Sequence, residues 1–163
     1  MLHVGKVVVG TRQGGLLAIS AQKGRSPVVC LIRKLPTAVA QVEALERGRT
    51  LLVATLDHRL GIYHTESGKL LHSFHDHVND FSCLPRVSLD ESLQVICAIG
   101  TDNVVRMWHL YDGGRLGRDM MPPETAFESD GPRLHAALLP SRRGLAVAVY
   151  SEEDNRERFC LCR

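Results

Sequence analysis

A chain of 163 residues, 44% of them hydrophobic and 5% aromatic, suits about one compact domain. Its formal net charge of +2, with no dense Lys/Arg run and few rings to stack on bases, argues against a dedicated nucleic-acid binder. No apolar run approaches the ~18 residues of a membrane span, residues 1–10 carry no apolar core of leader length, and the five irregularly spaced cysteines argue against a disulfide framework and for a reducing, intracellular setting, cytoplasmic or nuclear.

The chain opens on strand signals. Lys6–Gly10, Leu16–Ser20 and Val28–Ile32 are β-rich runs separated by Gly14-Gly15 and Lys23-Gly24, the pattern of successive hairpins. A second group follows: Ala38–Glu43, a turn at Glu46–Arg49, Leu51–Thr55, Leu60–His64 and Leu70–Phe74. Thr65–Lys69, between the last two, carries Gly68 where a positive φ is needed. A third group reads as Val78–Leu84, Gln94–Ile99, Val104–Leu110 and a weak outer strand near Arg115, with Pro85–Ser92 as a polar rim loop. Residues 121–132, rich in Pro and Gly, read as a linker. Leu134–Leu139, Leu145–Tyr150 and Arg158–Cys162 then supply a fourth group. Helical spacing could be argued only over Val39–Leu45, where β-branched residues favour strand.

The second and third groups repeat one another. Val53-Ala-Thr55-Leu-Asp57 leads to Tyr63, and Ala98-Ile-Gly100-Thr-Asp102 leads to Arg106-Met-Trp108; Asp to Asp and ring to ring are each 45 residues apart. That period lies at the roughly 40–45 residues of a WD-type blade, and the two stretches resemble the WD-repeat family. The fold so implied is all-β: a WD40-type β-propeller fragment of about four blades, near 1–35, 36–75, 76–121 and 132–163. Propellers close with typically about 4–8 blades, so the expectation is an open arc lacking N-terminal blades, prone to self-association through its bare edges.

The resemblance also implies site residues. In WD repeats a His before the inner strand, a Ser or Thr on the second, an Asp in the turn and a Trp on the third form a hydrogen-bonded set. His77, Asp102 and Trp108 match three of these positions in the third group, where Gly100 stands for the Ser/Thr; Thr55, Asp57 and Tyr63 match in the second. From His77 to Arg115 the chain more narrowly resembles the C-terminal repeats of a cullin-4-associated WD factor of the fourth-numbered type. What this implies is a protein-interaction scaffold, with a substrate-receptor role in a cullin-4 ubiquitin ligase and Arg106 as a partner contact. In the adaptor-binding box of such receptors an acid and an Arg follow the Trp, where this chain has His109 and Tyr111.

Other chemistry finds little footing, and neither catalytic residues nor a cofactor are expected. Histidines 58, 64, 72, 75 and 77 suggest a metal-dependent hydrolase as the competing class, but zinc needs about four convergent ligands and these fall on strands and turns with different directions. Cys160 and Cys162 share a strand face and read as core. Gly10–Gly15 lacks the Lys-Ser/Thr ending of a phosphate loop, and no Gly-x-Ser-x-Gly elbow is present. A third reading is a truncated product without a function of its own.

Overall fold

The structure, a computed structural model, describes residues 5–21, 24–79, 87–92, 94–102, 104–117, 133–139, 144–151 and 156–162, the last three segments by their backbone alone. Among them regular structure is almost wholly β, in four antiparallel sheets. The chain divides into two compact units, Met1–Ser73 and Phe74–Arg163. No helix among the described residues is long and apolar enough to cross a membrane.

In the first unit, β1 (Gly5–Gly10), β2 (Gly15–Ala21) and β3 (Val28–Lys34) form a three-stranded sheet. Four strands form the next: β4 (Val39–Leu45), β5 (Thr50–Thr55), β6 (Leu60–His64) and β7 (Leu70–Ser73), paired in chain order. A single 3₁₀ turn, Glu46–Gly48, joins β4 to β5. Every residue of β5 is buried, as expected of a near-continuous apolar run covered on both faces. The core joins the two sheets: Leu16, Leu35, Leu51, Val53 and Tyr63 are buried together, with Val8, Ile32, Val39 and Val42 packed against them. The 65–69 turn behaves as its sequence suggests. Gly68 has φ +62, and a Cβ there would overlap the Ile32 carbonyl oxygen, so both backbone and space require glycine.

In the second unit, β8 (Val87–Asp90), β9 (Val95–Ile99) and β10 (Val105–His109) form one sheet, and β11 (Arg133–Leu139), β12 (Gly144–Ser151) and β13 (Arg156–Cys162) another. β11 also runs alongside β8 and β9. Among the described residues the expected outer strand near Arg115 is reduced to one bridge, Trp108 to Arg115.

One sequence expectation is corrected. The strand that pairs with β9 is β8, inside the segment read as a rim loop, and not Val78–Leu84; Val78 and Asn79 have no strand pairing, and residues 80–86 lie outside the described residues. The reason is local. Asp90 accepts hydrogen bonds from the Ser92 backbone N–H (2.9 Å) and hydroxyl (2.6 Å), an Asx turn that folds the polar stretch into a hairpin. The linker expected at 121–132 also lies outside the described residues.

Candidate functional site

The two Asp turns share a backbone. Thr55 N–H donates to Arg59 C=O at 3.0 Å, and Gly100 N–H to Val104 C=O at 3.1 Å. Arg59 N–H and Val104 N–H each reach the preceding Asp Oδ1, of Asp57 and Asp102, at 3.3 Å. Leu56 N–H meets Ala38 C=O and Thr101 N–H meets Val78 C=O, both at 3.0 Å. The last pair makes Thr37 the counterpart of His77, each one residue before the carbonyl that receives the turn. Sequence reading missed Thr37 because the residues linking it to Asp57 are remote in the chain.

The side chains holding the two carboxylates differ. Asp57 is buried and accepts from the Thr55 hydroxyl, with Arg59 Nε at 3.4 Å from Oδ2. Burial opposes its charge, but the hydrogen bonds from Thr55 and the Arg59 backbone, with the Arg59 charge, outweigh it and lower its pKa below the ordinary 3.8. Asp102 has no hydroxyl two residues before it. Arg106 takes that place: Nη1 donates to Oδ1 at 2.8 Å and Nη2 to Oδ2 at 2.5 Å, a bidentate pair. Here too burial opposes ionisation, and the Arg106 hydrogen bonds prevail, so the pKa is lowered. That of Arg106 is raised, chiefly by the same hydrogen bonds.

Glycine makes the exchange possible. A Cβ on Gly100 would overlap Asp102 Oδ1 and stand 3.1 Å from Arg106 Nη1. The counterpart of Arg106 on β6 is Gly61: each is the second residue of its strand, Gly61 paired with Val53 and Arg106 with Ala98. One turn therefore combines Thr55 with Gly61, and the other Gly100 with Arg106.

Aromatic anchors close both turns. Trp108 is 1% exposed, and its indole N–H donates to the His75 carbonyl at 3.0 Å. Phe74 lies 6.0 Å from it, tilted, and buried His77 stands edge-on at 6.4 Å. The Arg115 guanidinium carbon sits 5.7 Å over the indole, and the same group reaches Asp76 at 3.2 Å. Tyr63 is buried under Arg33, also at 5.7 Å, within cation–π range. Arg33 in turn donates to Gly68 C=O at 2.9 Å.

The structure thus brings His77 against Trp108, and Thr55 against Asp57. The Trp108 N–H goes to the His75 backbone carbonyl, and Asp102 is held by Arg106. Arg106, expected as a partner contact, is 7% exposed and committed to Asp102, because a charge so enclosed needs its counter-ion. Beyond Trp108, His109 Nδ1 lies 3.3 Å from Asp112 Oδ1, and Tyr111 is exposed.

Among the described residues no group of three or more His, Cys, Asp or Glu is placed to hold a metal ion. His64 Nδ1 faces the Ser67 hydroxyl at 3.2 Å, in its own turn. Burial pushes the Cys97 thiol up to about 12, which leaves it protonated at neutral pH; the side chains of Cys160 and Cys162 lie outside the described residues. What the arrangement provides is two turns whose carboxylates are paired within the turn.

No protein-family model matches the sequence. DDB1- and CUL4-associated factor 4 of Bos taurus is 26% identical over 151 residues, covering 88% of this chain and 30% of that protein. DDB1- and CUL4-associated factor 4-like protein 2 of Homo sapiens is 27% identical over 127 residues, 76% of this chain and 31% of that protein. The chain spans about a third of the length of the curated relatives it matches. Among solved structures, the β-propeller domain of Myceliophteria thermophila Cps50 (Swd1) superposes with TM-score 0.62 at 17% identity, over 97% of this chain and 47% of that one. The computationally designed Ika4 protein gives 0.61 at 15% identity, over 99% and 88%. The structural likenesses show the fold: the sheets are blades of a β-propeller.

Proposed function

We propose that this chain is a protein-interaction scaffold of WD-repeat type, and that its narrower role is in substrate reception for a cullin-4 ubiquitin ligase. The observation that carries the scaffold reading is the pair of Asp turns with one backbone pattern, 45 residues apart, whose charged groups pair internally. Surface turns held by their own side chains suit partner contact. The narrower role rests on the two relatives, whose names place them with DDB1 and CUL4.

The adaptor contact itself is the weak point of that role. An acid after the Trp and an Arg two residues further on are replaced by His109 and Tyr111, and Arg106 cannot substitute while it holds Asp102. The 163-residue chain should therefore bind a cullin-4 adaptor weakly or not at all. Titration of the purified protein against DDB1 by calorimetry tests this. Submicromolar binding, abolished by His109→Ala or Tyr111→Ala, would show that the altered residues suffice; absence of binding here together with retention by a longer relative would place the contact outside these 163 residues.

A further inference from the structure

The sheet β1–β3 has two unlike faces. One contributes Val8, Leu16 and Ile32 to the core of its unit. On the other, strand register aligns Val7 with Ile19 and Val29, and Val9 with Leu17 and Leu31. Those two rows contain only aliphatic residues, and Val7, Val29 and Leu31 are 60%, 57% and 62% exposed. A contiguous apolar patch of this kind marks an interaction site. Among the described residues no strand pairs the free edge of β1, whose central Val7-Val8-Val9 run has only Lys6 as a charged guard; such an edge is a template for association.

Charge selects the occupant. The Met1–Ser73 unit has ten Lys/Arg against four Asp/Glu, a net +6, whereas Phe74–Arg163 has ten against fourteen, a net −4. Packing this face on the same face of another copy would bring two basic units together. Packing it on the acidic unit of another copy sets opposite charges against each other, which favours encounter and fixes orientation. We propose that the Val7/Val9/Leu17/Ile19/Val29/Leu31 face is the seat for a second copy of this chain, which presents its Phe74–Arg163 unit head to tail. Such a contact is heterologous, so each docked copy leaves a further seat open and assembly grows with concentration. This inference does not depend on the ligase role.

Sedimentation velocity of the full chain over a range of micromolar concentrations, at low and high salt, tests it. The expected result is concentration-dependent growth beyond a dimer that weakens as salt screens the opposed charges. Val7→Lys with Leu31→Lys, both at exposed positions, should lower self-affinity by at least about tenfold with an unchanged circular dichroism melt. Because that variant keeps an intact acidic unit, it should still bind once to the wild-type chain and terminate its growth. A monomer at every concentration overturns the proposal, as does association that strengthens with salt or a double variant that fails to bind the wild type, since both results mean like-with-like packing. If the double variant unfolds, Lys6→Glu supplies the test: it leaves the apolar rows intact and should weaken assembly at low salt only, and equal assembly at low salt overturns the head-to-tail arrangement.

Discussion

The guanidinium of Arg106 fills the space that a side chain at Gly100 would need, with Nη1 3.1 Å from the position of a Cβ there. In the turn between β5 and β6 the same two positions are Thr55 and Gly61. Each Asp turn therefore receives one polar partner and one glycine, and which strand supplies which is exchanged. Two polar partners would overcrowd the turn; two glycines would leave a half-buried carboxylate underpaired.

That reciprocity predicts non-additive mutations. Gly100→Thr alone should cost about 1–3 kcal/mol through overpacking against Arg106 and the Val78 carbonyl. Combined with Arg106→Gly, which recreates the Thr55/Gly61 arrangement, the loss should fall short of the sum of the single losses by about 0.5–3 kcal/mol. Urea unfolding of the four proteins gives the coupling, and strictly additive losses would show that the two positions do not communicate.

Trp108 is the sole tryptophan, so intrinsic fluorescence reports on its site alone. Trp108→Ala should cost about 3–5 kcal/mol for removing an enclosed ring. Trp108→Phe keeps most of the packing but leaves the His75 carbonyl without the indole N–H, at about 1–3 kcal/mol. Native emission should be blue-shifted and move to the red with unfolding. Emission already at the solvent-exposed wavelength in the native state would contradict the burial.

Acid should destabilise the fold through both turns. Asp57 and Asp102 have folded-state pKa values lowered from 3.8, so the unfolded chain binds protons first as pH falls. Their contribution is complete above the unfolded value and is lost as pH drops below 3.8 through the folded values. Asp57→Asn with Asp102→Asn should lower stability at neutral pH and flatten the acid limb of a stability–pH curve. A limb of unchanged slope would assign the acid sensitivity to other carboxylates.

Cysteine labelling should separate two thiols. Cys30 is exposed on β3 and Cys97 is buried on β9 with its thiol pushed up to about 12. Under native conditions iodoacetamide should modify Cys30 first, with Cys97 reacting only on the timescale of unfolding. Peptide mass spectrometry over time reads this directly, and equal rates at the two sites would mean that β9 opens readily.

Sequence alone located most strands and both Asp turns, because alternation, β-branched runs and turn residues act over a few neighbours and a 45-residue repeat checks one copy against the other. It misplaced the strand that pairs with β9, since the Val87–Asp90 segment is short and polar and its Asx turn reads locally as loop. Only the tertiary structure could decide what holds each carboxylate. Thr37 stands at the His77 position because carbonyls far apart in sequence receive equivalent turns, and Arg106 reaches Asp102 because glycine leaves room there. Packing of that kind depends on cross-strand register and on volume, neither of which is carried by any single stretch of chain.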